Sequence, residues 1–282
     1  MIRNALTVDV EDYFHVSGFA SSINRKDWDS HPLRVEQNTG KLLDLFDQSE
    51  VKATFFVLGW VAERLPGLIR EIADRGHEVA CHGYSHELVY RQSPEVFSKE
   101  TLRSKALLED ITQLPVRGYR AASYSITEQS RWALDVLADA GFVYDSSIFP
   151  VRHDRYGIPG SPEYPYELKT PDGKSLIEFP LSTAKVFGYR LPVAGGGYFR
   201  LYPYIVTRLG LMQINGNNRP FIFYLHPWEI DPGQPRVSAN WMSRFRHYNN
   251  LKKCEGRLKQ LMTDFRFGTA WDVLTDLELV SK

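Results

Sequence analysis

The chain has 282 residues, 43% of them hydrophobic, and its 34 basic side chains balance 34 acidic ones. That is enough apolar matter for one sizeable core, and the neutral balance argues against nucleic-acid binding through bulk charge. No window has the length and hydrophobicity of an integral membrane segment, and "MIRNALTVDVED" turns acidic too early for a secretory signal; with only two cysteines far apart, Cys81 and Cys254, a reducing, cytoplasmic setting is expected.

In chain order, "ALTVDV" predicts a buried strand and "NTGKLLDLFDQSE" a helix. "KATFFVL" is strand-like, and "LPGLIREIADRG" is helical with Gly76 as its stop. "HEVACH" is a third strand, and "SPEVFSKETLRSKALLEDITQL" opens with a Ser-Pro start and runs about six helical turns. "VRGYRA" is a short strand and "TEQSRWALDVLADAGF" a capped helix. From about 146 to 200 the chain turns rich in Pro, Gly and Tyr, expected as long loops over one face, with "LIEFPLS" as a strand among them. "YPYIVTRLGLMQIN" predicts a helix, "PFIFYLH" a strand, and the tail from "YNNLKKCEGRLKQLMTDF" to "AWDVLTDLELV" is helical. Strand–helix alternation of this kind predicts an α/β fold. The expected form is a distorted (β/α) barrel of about seven strands over residues 1–235, with a small helical extension, 236–282, packed on it.

In such barrels chemistry gathers at the C-terminal ends of strands. Asp9, Glu11 and Asp12 end the first strand, "CHGYSH" follows the third, "YRAASYS" the fourth and "LHPWE" the late one. Carboxylates this close repel one another unless a cation or proton holds them. His82 and His86 are four apart, a spacing that brings two imidazoles to one side of a helical turn. Two imidazoles plus a carboxylate form the ligand set of a catalytic Zn²⁺ site, and suit other divalent metals too. The carboxylate is Glu11 or Asp12; strand alternation puts Asp9 and Glu11 on one face and favours Glu11. "AGGGYFR", residues 194–200, lacks the order of a phosphate-cradling loop and is expected as a flexible loop presenting Tyr198 and Arg200 to a sugar.

"TVDVED", "HGYSH", "RAASY" and "LHPWE", in this order, resemble the motifs of the polysaccharide deacetylases, the NodB homology domain of carbohydrate esterase family 4. The resemblance covers residues 1 to about 230. The Asp-x-Glu-Asp form, "GGGYFRLYPY" and "RFRHYNNL" resemble a bacterial branch associated with exopolysaccharide gene clusters, which carries a C-terminal domain of unknown function. Two features depart from the family pattern: an Asp-Asp pair is opened to Asp9-Val10-Glu11-Asp12, and Ala122 stands where a proline is usual.

The resemblance implies metal-dependent removal of N-acetyl groups from a glycan or its precursor, with one divalent ion on His82, His86 and Glu11 or Asp12. It implies Asp9 as base, Arg120 as the residue holding Asp9, His226 as the acid and a backbone N–H near Tyr124 as an oxyanion donor. Tyr124, Tyr198, Arg200 and Trp228 are the expected substrate contacts. The alternatives are an amide hydrolase of the same fold acting on a small molecule, and a glycan-binding relative without catalysis.

Overall fold

The longest strand, β1 (Arg3–Val10), comes first, and the sheet is laid down on both sides of it. The structure, a computed structural model, describes residues 1–153 and 155–281; Lys282, the end of the expected extension, lies outside the described residues. After β1 the chain alternates through α1 (Val35–Gln48), β2 (Thr54–Val57), α2 (Gly59–Arg64), α3 (Pro66–Asp74), β3 (Glu78–Cys81), α4 (Pro94–Thr112), β4 (Gly118–Tyr119), α5 (Trp132–Asp139) and β5 (Tyr144–Asp145). Two hairpins follow, β6 (Tyr166–Lys169) with β7 (Ser175–Glu178) and β8 (Thr183–Val186) with β9 (Tyr189–Pro192). Then come α6 (Gly196–Leu201), α7 (Tyr204–Gly216), β10 (Ile222–Leu225), α8 (Trp241–Tyr248), α9 (Leu251–Asp264), β11 (Arg266–Gly268) and α10 (Ala270–Asp276).

Local signals explain the boundaries. Ser93 caps α4 by accepting from the Val96 N–H with Pro94 in the first turn, and Gly76 ends α3 with φ +77°. The stretch expected as loops between 146 and 200, with one strand at "LIEFPLS", holds that strand and three more. Its "TPDG" turn, with Gly173 at φ +81°, is a hairpin signature that the Pro- and Tyr-rich composition hid.

The strand order is β10-β1-β2-β3-β4-β5-β7-β6, with β11 joining the start of β1. The seven strands from β10 to β7 are all parallel, and β6 is an antiparallel edge. Single hydrogen bonds bridge the seam between β7 and β10: Ile222 N–H donates to Ser182 Oγ (2.9 Å) and Tyr224 N–H to the Ala194 carbonyl (2.7 Å). Gly195 permits that closure. Its φ is +126°, and a Cβ there would lie 1.9 Å from the Tyr224 carbonyl oxygen.

Side chains alternate across the strands. Ala5, Phe56, Ala80, Tyr144, Ile177 and Ile222 pack together inside the ring. Leu6, Val8, Phe55, Val79, Cys81 and Phe223 face the outer helices in a second, larger core. The C-terminal segment completes the barrel: β11 pairs with β1 at Ala5↔Gly268, and Ala270, Val273 and Leu274 of α10 join the interior cluster. The Ala270 N–H donates to Thr54 Oγ1 (2.7 Å) and the Trp271 N–H to Glu78 Oε2 (3.1 Å), so the start of α10 closes the floor.

Two stability predictions follow from this packing. Leu274 has no exposed surface, so Leu274→Ala should cost about 2–5 kcal/mol, read as a lower denaturant midpoint at unchanged slope. His77 sits between the rings of Phe46 and Phe55 and accepts from the Ala53 N–H (3.1 Å). Burial lowers its pKa from 6.5 to about 4, so the folded state favours the neutral ring. That contribution is complete above pH 6.5 and is lost as pH falls towards 4, because the unfolded chain then binds the extra proton. Denaturation curves across that window should show His77→Gln losing stability less steeply than the parent chain.

Candidate active site

The inward face of β1 continues past its end, so Thr7, Asp9 and Glu11 share the barrel side while Asp12 turns away. Asp9 is 2% exposed, and its Oδ1 accepts from Arg120 Nη1 at 2.7 Å. Arg120 comes in from the end of β4 with no exposed surface. Its other donors reach Thr7 Oγ1 (2.8 Å), Ser146 Oγ (3.0 Å) and the Ser146 carbonyl (3.2 Å), with Phe56 against its face. Asp12 instead accepts from the backbone N–H groups of Tyr13 (2.8 Å), Arg34 (2.6 Å) and Val35 (2.8 Å), capping the start of α1. The structure thus takes Asp12 out of the candidate metal set and leaves Glu11 in it.

His82 ends β3, and its Nδ1 bonds the Arg120 carbonyl at 2.8 Å. A carbonyl only accepts, so Nδ1 carries the proton and Nε2 is left as a lone-pair donor. His86 lies on a bend, not on the helical turn that its spacing suggested, and its left-handed φ of +51° turns the ring back towards β1. Its Nε2 is 2.9 Å from Glu11 Oε2. The N-terminus of α2 holds this bend: the Gly59 and Trp60 N–H groups donate to the carbonyls of Gly83 (2.8 Å) and Tyr84 (3.1 Å). Ligand atoms of Glu11, His82 and His86 all lie within 4.8 Å of one another. Glu11 Oε2 is buried with His86 Nε2 as its one near polar neighbour, and burial pushes His82 down to about 4, keeping it neutral. Burial works against the Glu11 carboxylate, but His86, His226 and His82 hold its pKa well below the usual range. Two imidazoles and an ionised carboxylate fit a divalent cation.

His226 follows β10 on the same inward parity as Ile222 and Tyr224. Its Nε2 lies 3.3 Å from Glu11 Oε1 and 3.9 Å from Asp9 Oδ2. Burial opposes a charged ring here, but Glu11, Glu229 and Asp9 outweigh it and push the pKa up to about 9. Glu229 Oε2 accepts from the His226 N–H (3.0 Å) and faces Nδ1 (3.1 Å).

The expected substrate contacts divide. Tyr124 lines the barrel interior between Phe149, Tyr156 and Tyr224, and its own N–H is engaged by the Ala121 carbonyl (3.0 Å). Tyr198 is half-buried, its hydroxyl 3.2 Å from that of Tyr156. Trp228 is 4% exposed; its Nε1 donates to Glu11 Oε1 (3.3 Å) and its ring is stacked between His226 and His247. Arg200 is 1% exposed and bonds Glu229, so it faces inward rather than towards a sugar, and the stretch around it is helix α6 rather than a flexible loop. Sequence reasoning gave Glu229 no role, although its place three residues after His226 was the signal. It also missed Thr7 and Ser146, which share the barrel face of Asp9 and Arg120.

Residues 27–144 match the polysaccharide deacetylase family, and residues 146–275 match a domain of unknown function, DUF3473. His82, His86, Arg120 and Tyr124 fall within the first range; Tyr198, Arg200, His226, Trp228 and Glu229 fall within the second. The chain is 32% identical over 98 residues to a peptidoglycan-N-acetylglucosamine deacetylase of Bacillus cereus, covering 34% of this chain and 36% of that protein. It is 31% identical over 141 residues to a peptidoglycan deacetylase of Helicobacter pylori, covering 50% of this chain and 44% of that one. It therefore spans less than half the length of these curated relatives. A Mycobacterium smegmatis protein assigned to the polysaccharide deacetylases shares the fold, with a TM-score of 0.66 at 20% identity over 99% of this chain and 90% of that one. The first half of the chain is thus a polysaccharide deacetylase domain, and the second half matches DUF3473.

Proposed function

We propose that this protein is a metal-dependent hydrolase that removes N-acetyl groups from an acetylated sugar in a bacterial polysaccharide or its precursor. The observation that carries this reading is convergence. The ligand atoms of Glu11, His82 and His86 lie within 4.8 Å of one another, and Asp9 Oδ2 and His226 Nε2 stand 3.9 Å apart beside them. The names of the curated relatives, which act on peptidoglycan, support an N-acetylated sugar as substrate. The nitrogen and oxygen ligand set supports Zn²⁺ as the ion, and the motif resemblance supports a role in exopolysaccharide synthesis.

Glu11, His82 and His86 would hold the ion. A divalent cation bound there would supply Lewis acidity for amide hydrolysis. Arg120 occupies Oδ1 of Asp9, which leaves Oδ2 to take the proton from the attacking water as its oxygen adds to the acetyl carbon. His226 Nε2 then delivers a proton to the nitrogen as the C–N bond breaks, releasing acetate and the free amine of the sugar. An imidazole suits that task because its ordinary pKa lies near neutral pH.

Metal analysis of purified protein should find one divalent ion per chain. His82→Ala, His86→Ala and Glu11→Gln should lose it together with acetate release from N-acetylhexosamine oligomers. Asp12→Ala should keep the ion and lower the melting temperature instead; metal loss in that variant would move the ligand from Glu11 to Asp12. Asp9→Asn should retain the ion and lower acetate release by about 10²–10⁴-fold, the scale of a lost acid–base group. A metal-free Asp9→Asn protein would make Asp9 a ligand and sink its assignment as base.

A further inference from the structure

Arg200 is, with Arg120, among the largest fully buried side chains of the described residues, and nothing in the proposed chemistry uses it directly. Its guanidinium is nonetheless fully employed. Nε donates to Glu229 Oε1 at 2.6 Å, Nη1 to the carbonyls of His247 (2.7 Å) and Asn249 (3.0 Å), and Nη2 to the carbonyl of Arg246 (3.0 Å). It therefore caps the C-terminal end of α8 and compensates a buried carboxylate with the same group. The grip is mutual: Asn250 Nδ2 and Arg257 Nη1 donate back to the Arg200 carbonyl (2.9 and 3.0 Å), and Arg257 Nη1 also to that of Phe199 (2.7 Å).

From Glu229 the chain of contacts leads to the site. Its second oxygen holds both the backbone N–H and the Nδ1 of His226. Burial would raise the pKa of Glu229, but Arg200 and His226 bring it down to about 2, so it is an ionised acceptor. An acceptor at Nδ1 fixes the ring plane and leaves Nε2 directed at Glu11 and Asp9. The rings of Trp228 and His247 stack behind, with His247 Nε2 on Gln234 Oε1 at 2.6 Å.

We infer that Arg200 is a positioning residue for proton donation: anchored on the carbonyls of the 246–249 turn, it fixes Glu229, and Glu229 aims His226 Nε2 at the departing nitrogen. The DUF3473 half then has a defined task, because α6, the 227–230 turn and the end of α8 together hold the donor in register. This rests on the reading of His226 as the acid.

The test compares two substrates on the full chain loaded with metal. An N-acetylated chito-oligosaccharide needs its leaving amine protonated, whereas 4-nitrophenyl acetate releases a stable phenolate without a proton. Arg200→Lys keeps a cation beside Glu229 but cannot reach three carbonyls. The double variant Arg200→Met with Glu229→Met removes both buried charges and avoids leaving one unpaired. Both variants should lose about 100-fold in kcat on the amide, the scale of a misplaced catalytic group, with KM, metal content and ester turnover little changed. In metal-free protein, proton NMR should show a slowly exchanging His226 Nδ1–H that is weakened in Arg200→Lys and gone in the double variant. Equal losses on amide and ester, or an intact Nδ1–H resonance in the double variant, would overturn the inference. A parent chain that cleaves the ester but not the amide would instead defeat the deacetylase reading, while the NMR comparison still decides whether Arg200 positions His226.

Discussion

A guanidinium without solvent at the centre of a barrel is the constraint from which the rest of the site follows. Burying a charge costs several kcal/mol unless partners meet it on all sides. Arg120 is met by Asp9, Thr7 and both oxygens of Ser146, so strands β1, β4 and β5 are fixed relative to one another. Ser146 Oγ passes the tie on to the carbonyl of Phe179 just beyond β7 (2.8 Å). The backbone carbonyl of the same arginine receives His82 Nδ1, so one residue holds both the Asp9 carboxylate and the His82 ring. The geometry of Asp9, Arg120 and His82 is thus stored in hydrogen-bonded groups at strand ends, and His86 alone is placed by the segment beyond β3.

Much of this was legible in the sequence because strands have an exact period of two. Once "ALTVDV" is a strand, Asp9 and Glu11 must share a face, and the same parity puts His82, Arg120 and His226 inside the ring. Strand–helix alternation predicted the barrel, and the four motifs at strand ends marked its reactive end. The spacing of His82 and His86 misled, because a four-residue interval is also met by a bend with one left-handed residue. Asp12 looked equivalent to Glu11 in sequence and differs only because the start of α1 offers it three N–H groups. Arg200 was read as exposed because it follows three glycines. Gly195 and Gly196 serve close approach to Tyr224, which pulls α6 inward and takes Arg200 with it. Contacts that join residues so far apart in the chain leave no local pattern to read.

The division of the chain by family does not coincide with a division of labour in space. The boundary at residue 145 falls at the end of β5, in the middle of the parallel ring. Neither part holds the whole candidate site. The carboxylates of β1 precede the first matched range, the histidine pair and Arg120 lie within it, and His226 belongs to the second. A barrel makes this workable, since residues more than two hundred positions apart become neighbours on adjacent strand ends.

The position of β1 also governs the order in which the molecule can be made. On one side it pairs with β2, some fifty residues on; on the other it waits for Ile222 to Leu225 and for Arg266 to Gly268. At ribosomal speeds of about 5–20 residues per second, the first strand stays unpaired along that edge for roughly ten seconds or more. Throughout that interval a nascent chain with Ala5, Leu6 and Val8 already emerged presents an apolar strand edge and no floor beneath the ring. Native topology therefore places the burden of avoiding self-association on synthesis: until residues 222–268 have left the ribosome, one edge of β1 has no partner.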